Sequence, residues 1–152
     1  MDWMLMPLRR YADFSGRSQR KEFWMFQLLN LIVIAIFMTI MFSGMPWAEM
    51  AAQNNQYGKF AAESATAQPA PGPLFFVGLL ILMLWILGTF IPMLAVTVRR
   101  LHDQDKSGWW WLLNFVPFGA YVLIAFFCIE GTKGPNQYGP DPMGRGPSDI
   151  FA

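Results

Sequence analysis

The segment FWMFQLLNLIVIAIFMTIMF, residues Phe23–Phe42, decides the fold. It carries no charged side chain over its 20 residues. As an α-helix it would rise about 30 Å, the thickness of a bilayer's hydrocarbon core. A dozen of its residues are Leu, Ile, Val or Phe. Together they favour insertion into lipid by roughly 4–7 kcal/mol. A helix of a soluble bundle needs a polar stripe. This one offers only Gln27, Asn30 and Thr39. It reads as a membrane span.

Two further apolar stretches lie downstream. LFFVGLLILMLWILGTFIPMLAVTV, Leu74–Val98, would span about 37 Å, so it must tilt, bend or overhang. Pro92 removes a backbone donor and crowds the Gly88 carbonyl, which places a bend there. WWWLLNFVPFGAYVLIAFFCI, Trp109–Ile129, is long enough to cross, but Pro117 and Gly119 interrupt it. It reads as a kinked span or as a re-entrant hairpin with both ends on one side. The expected fold is an all-α integral membrane protein with three transmembrane helices, the third kinked or re-entrant. A short N-terminal interfacial helix and a Gly/Pro-rich tail complete it. The divisions are an N-terminal segment 1–22, a membrane domain 23–130 and a tail 131–152. Within the membrane domain the spans are 23–42, 74–98 and 109–129. They are joined by a flexible loop 43–73 and a cytoplasmic loop 99–108.

The composition agrees. Hydrophobic residues make up 55% of the 152 and charged residues 14%, against about 45–50% and 25% in soluble domains. The single cysteine, Cys128, excludes an intrachain disulfide and a cysteine-based zinc set. It reads as apolar filler, or as half of a disulfide to a second chain. The apolar run near the N-terminus exceeds the h-region of a signal peptide and no small-x-small site follows closely, so it reads as an uncleaved span.

Placement of the positive charges orients the chain. Arg9, Arg10, Arg17, Arg20 and Lys21 precede the first span, and Arg99, Arg100 and Lys106 follow the second. Lys59 sits in the first loop, and Lys133 and Arg145 in the tail. The positive-inside rule then puts the N-terminus and loop 99–108 in the cytoplasm. Three full crossings would leave the tail outside. The opening segment MDWMLMPLRRYADF mixes Trp3, Leu5, Leu8 and Tyr11 with two arginines, as an interfacial helix would. Ser18 offers an N-cap for the first span. Gln27, Asn30 and Asn114 fall about 6–10 Å inside the cytoplasmic boundary. Amides at matched depth can hydrogen-bond between helices. Alternatively they would line a polar path.

The loop VRRLHDQDKSGWWWL, Val98–Leu112, holds the only histidine. His102 beside Asp103 suggests a base or a metal ligand, yet a lone histidine lacks the supporting set that either role needs. Asp103 stands three and four residues after Arg100 and Arg99, a spacing that makes ion pairs on one helical face. Gly108 allows a turn. Trp109–Trp111 suit the headgroup belt. Burying the five charges of this loop at mid-membrane would cost above roughly 12 kcal/mol, so it must reach water or the interface. No nucleotide-binding, zinc-protease or nucleophile-elbow motif occurs, and no basic run suggests nucleic-acid binding.

Three blocks carry a family resemblance. YADFSGRSQRKEFWMFQLLN (Tyr11–Asn30), LAVTVRRLHDQDKSGWWWLL (Leu94–Leu113) and GPNQYGPDP (Gly134–Pro142) resemble the bacterial membrane family known as domain of unknown function 805. The match carries over Phe14, Gly16, Arg17, Arg20, Glu22 and Trp24 from the first block. From the second it carries over Arg99, Arg100, Leu101, His102, Asp103, Ser107, Gly108 and Trp109. Asn136, Tyr138, Gly139 and Pro140 come from the third. Several relatives have Gly or Asn where this chain has Asp105, and Asp also tolerates a left-handed turn. The resemblance implies a small integral protein of the bacterial cytoplasmic membrane and supplies no reaction. It also implies that Glu22 meets Arg99 or Arg100 at one interface.

The expected function is therefore association with lipid, with a second copy or with another membrane protein. No catalytic, cofactor or metal role is expected. The alternatives are an oligomeric transporter or channel built on Gln27, Asn30 or Asn114, and a membrane enzyme built on His102 and Asp103.

Overall fold

A computed structural model describes residues 2–56 and 69–144, and the expected positions of Lys59 and Arg145 lie outside that range. The described elements are helical: α1 (Asp2–Arg9), α2 (Arg20–Ser43), α3 (Trp47–Gln56), α4 (Pro73–His102), a 3-10 helix (Gly108–Phe115) and α5 (Gly119–Cys128). The one β-type pairing among them is an isolated bridge between Asn136 and Gly139.

Both α2 and α4 are long and apolar enough to cross a membrane. Within their most apolar windows only 6% and 17% of residues are buried. A core helix of a soluble protein would be mostly buried, so these helices have the surface of lipid-facing ones. Leu31, Leu80 and Leu87 are among the large side chains left outside.

The chain divides into two compact units, Met1–Leu31 with Leu87–Ala152, and Ile32–Ile86. In the second unit, α2 and α4 approach closely. A Cβ on Gly78 would lie 2.8 Å from Met41 Cγ, and one on Gly44 would lie 2.6 Å from the Phe75 nitrogen. Trp47 donates from its indole to the Phe42 carbonyl at 2.7 Å and folds over the Phe42 ring. The loop expected over 43–73 therefore contains a ten-residue helix, α3. Its sequence WAEMAAQNNQ is rich in helix formers, and Glu49 in the first turn opposes the helix dipole.

The first unit holds a small core of Phe23 and Phe26 from α2, Val96 and Leu101 from α4, and Leu123 and Phe127 from α5. The Phe23 and Phe127 rings lie 4.5 Å apart. Leu8 of α1 packs against this cluster, while Trp3 and Leu5 stay exposed. Pro92 stands inside α4, and the Gly88 carbonyl it leaves without an intrahelical donor accepts the Tyr11 hydroxyl at 2.7 Å.

The third apolar stretch is not one helix over 109–129. The 3-10 helix ends at Phe115, Phe118 turns with φ +65°, and α5 runs for ten residues. Such a helix rises about 15 Å, half a hydrocarbon core. Gly119 is required at the turn, since a Cβ there would sit 1.9 Å from the Leu113 carbonyl oxygen. The two pieces pack against each other, and both ends return to the end of α4: Gly108 abuts Val98, and Thr132 donates its N–H to the Asp103 carbonyl at 2.8 Å.

Two local expectations need correction. Ser18 does not cap α2. Its hydroxyl donates to Glu22 Oε2 at 2.6 Å, and its N–H goes to the Arg99 carbonyl at 3.1 Å. Nor does Gly108 make the turn after α4. The turn is made at Asp105, with φ +58°. Lys106 N–H bonds the Leu101 carbonyl and Asp105 N–H the His102 carbonyl, both at 3.0 Å. This is the paired closure of a Schellman cap. Gly108 is needed for proximity instead, because a Cβ there would lie 2.8 Å from Val98 Cγ1.

Candidate functional site: a buried arginine and carboxylate cluster

The end of α4 ties the chain together. Arg99 and Arg100 are fully buried, and Arg17, Glu22 and Asp103 are nearly so. The ion pair expected for Glu22 forms with Arg99, at 3.0 Å from Nη2 to Oε1. Asp103 pairs with Arg100 through Oδ2 and with Arg17 through Oδ1, the latter at 3.0 Å. Burial pushes the Asp103 carboxyl above its usual range, and the guanidinium groups of Arg100 and Arg17 pull the other way.

Arg17 and Arg100 also reach backbone carbonyls. Arg17 donates to Gly134 at 2.6 Å and to Thr132 at 2.5 Å, and Arg100 donates to Phe127 at 3.3 Å and to Ile129. These carbonyls follow or end α5, where orphan acceptors need donors. Arg20 adds an exposed pair with Glu130 at 3.2 Å and a bond to the Cys128 carbonyl. Gly131 has no room for a side chain: a Cβ would lie 1.9 Å from Asp103 Oδ2.

The tail folds onto the same place. Asn136 and Gly139 exchange backbone hydrogen bonds of 3.0 and 3.1 Å. The Asn136 amide donates to the His102 carbonyl at 2.8 Å, and its Oδ1 accepts Tyr138 N–H at 2.9 Å. The Tyr138 ring stacks on His102 with centroids 3.8 Å apart. His102 Nδ1 lies 3.3 Å from the Gly16 carbonyl, an acceptor, so that nitrogen carries the proton. Gly16 itself has φ +79°. Asp141 accepts N–H groups of Gly134 and Met143, Gln19 donates to the Pro142 carbonyl, and Pro140 is exposed. The Gly/Pro-rich tail builds no core, but its described part is held at defined positions.

The remaining sequence-derived residues divide. Ser107 accepts Trp109 N–H at 3.4 Å and opens the 3-10 helix. Trp109 is 78% exposed, while Phe14 and Trp24 are exposed to a lesser degree. An apolar groove of about 480 Å³ separates Leu94 and Val98 from Trp109 and Trp111, with His102 and Tyr138 at its edge. Among the described residues, no three potential metal ligands are gathered.

Of the three amides, Gln27 is half-buried on α2. Asn30 donates to Phe26 one turn back on its own helix, and Asn114 is exposed on the 3-10 helix. The tail carbonyls bound by Arg17, the Tyr11–Gly88 bond and the role of Gly131 had no signal in spacing. Backbone acceptors carry no sequence signature.

The comparisons place these residues in a family. A family described as "Protein of unknown function (DUF805)" matches residues 11–140. Among curated proteins, the "Inner membrane protein YhaI" of Escherichia coli K12 is 42% identical over 144 residues, covering 93% of this chain and 96% of that protein. The "Inner membrane protein YhaH" of the same strain is 38% identical over 143 residues, covering 93% and 97%. No solved structure matches.

Proposed function

Since this chain belongs to the DUF805 family, we propose that it is a non-enzymatic, multi-pass protein of the bacterial inner membrane that acts by associating with membrane proteins or lipids. In this reading α2 and α4 are the spans. The 3-10 helix and α5 form a re-entrant hairpin, and the N-terminus, loop 99–108 and tail all lie in the cytoplasm. The names of the curated relatives support the location. The hydrogen bond from Thr132 N–H to the Asp103 carbonyl carries the topology, because it joins the tail to the end of α4. Ten of the eleven lysines and arginines then fall on one side, and Lys59 alone on the other. That asymmetry favours this orientation strongly.

The ionisable groups of the site support a binding role over a catalytic one. Asp103 and Glu22 are committed to arginines, and His102 is held between Gly16 and Tyr138. A catalytic histidine also needs an orienting acid, and both of these carboxylates are taken by arginines. Cysteine accessibility in intact cells tests the topology. Lys59→Cys is expected to label from outside, and Gln104→Cys and Gln137→Cys only after permeabilisation. External labelling at 137 would make the hairpin a third span. In-membrane cross-linking then tests association: monomer bands alone, with no lipid retained through purification, would refute it.

A further inference from the structure

Two arms of matched length make the hairpin. The eight residues of the 3-10 helix rise about 16 Å and the ten of α5 about 15 Å. Both arms are anchored at the end of α4, where Gly108 abuts Val98 and Arg100 donates to the Phe127 and Ile129 carbonyls. The turn between the arms is therefore the part farthest from that end, about half a hydrocarbon core deep in the proposed topology. Its side chains suit that depth: Phe115, Val116 and Phe118 are exposed, Phe118 at 81%.

Asn114 interrupts this apolar surface. It is next to last in the 3-10 helix and exposed, and its amide makes no hydrogen bond among the described residues. By the rise of a 3-10 helix it stands about 12 Å along the arm from Gly108. That sets it inside the hydrocarbon when Gly108 lies at the headgroups, and its short side chain cannot snorkel back as a lysine's would. An amide left unbonded in hydrocarbon is costly. The arm therefore calls for a partner that brings both a donor and an acceptor to that depth.

We propose that the hairpin tip is a self-association surface, at which Asn114 of one copy bonds Asn114 of a second copy across a two-fold axis. An amide carries both donors and an acceptor, so two of them satisfy each other in a reciprocal pair. A two-fold axis brings identical residues together at identical depth. A second copy thus supplies the required group by construction, whereas another membrane protein would need one placed to match. The exposed Phe115, Val116 and Phe118 provide the apolar contact around the pair. This surface rests on the re-entrant topology proposed above, and it gives the associating role a place and a partner.

The test is Förster transfer between full chains labelled on the exposed Cys128 thiol, in phosphatidylcholine vesicles of rising lipid-to-protein ratio. Transfer is expected to stay above the level of random collision on dilution. Asn114→Leu is expected to weaken association about tenfold, the effect of two interhelical hydrogen bonds. Asn114→Gln keeps the amide and should weaken it less. Leu80→Ala, an exposed apolar change on α4 outside the hairpin, should leave it unaltered. Because the Asn114 side chain is exposed and unbonded, its replacement should leave the circular dichroism of the chain unchanged. Native transfer no higher than random collision, or association of Asn114→Leu as tight as the native, would overturn the proposal. Tight association of Asn114→Leu would remove this surface while leaving the associating role standing. External labelling of Gln137→Cys would instead remove the hairpin, so the two failures are read by different measurements.

Discussion

At the scale of single residues, the cluster lets the consequence of a buried charge be isolated. Glu22→Leu leaves Arg99 buried without its carboxylate, at an expected cost of about 3–5 kcal/mol. Replacing both partners, Glu22→Leu with Arg99→Leu, is expected to recover most of that loss, since neither charge is then stranded. Thermal unfolding in detergent of the four species in this cycle checks it. Equal damage in the single and double variants would mean that the pair holds the fold through other contacts. An exposed carboxylate behaves differently. Asp13 accepts bonds from Ser15 and Arg10, which lower its pKa to about 2 from 3.8. A depressed carboxyl contributes stability above its unfolded pKa and loses that contribution as pH falls through the folded value. The turn at Arg10–Ser15 is therefore expected to hold at neutral pH and loosen between about pH 4 and pH 2. Asp13→Asn should abolish that part of an acid titration followed by NMR shifts of this turn.

At the scale of elements, helix ends and breaks govern what was legible. Pro92 announced a missing backbone hydrogen bond within α4, and the sequence implied a freed carbonyl at Gly88. It did not reveal that Tyr11, 77 residues away, would supply the donor. Tyr11→Phe is expected to cost about 1 kcal/mol, measured as a lower melting temperature. The turn after α4 was legible in kind but displaced in place. Its left-handed residue is Asp105, where the family resemblance implied such a turn, and not Gly108, where the lone glycine suggested one. Asp105→Gly is expected to stabilise the protein by about 0.5 kcal/mol, because glycine bears no Cβ penalty in that conformation. A melting temperature that falls would show that the Asp105 side chain contributes more than its backbone strain costs. The two long spans were plain from length and absence of charge. The third stretch was ambiguous, since length permits a crossing while Pro117 and Gly119 permit a return. What separates them is a contact across about 30 positions, from Thr132 to Asp103, and periodicity carries no information about it. Helix α3 was hidden for another reason: it lies inside 43–73, a stretch read as one flexible loop.

At the scale of the whole chain, three separated blocks depend on one another through arginine. Arg17 stands before α2, Asp103 directly follows α4, and the carbonyls of Thr132 and Gly134 belong to the tail, so one guanidinium spans all three. A Gly/Pro-rich segment cannot hold itself in place, because it buries too little apolar surface to offset its ordering entropy. Its described position must therefore come from donors elsewhere in the chain. Arg17→Met keeps much of the side chain's length and apolar bulk but removes every donor. It is expected to raise hydrogen exchange at amides of residues 132–141 by about tenfold or more, the equivalent of losing a charge-assisted hydrogen bond. The change in the N-terminal block would thus be read in the C-terminal one, more than 110 residues away. Amides in the middle of α2 and α4 should keep their protection, since their bonds are internal to each helix and their surroundings apolar. Unchanged exchange in the tail would assign its order to Asn136 and Tyr138 instead, whose contacts with His102 do not involve Arg17.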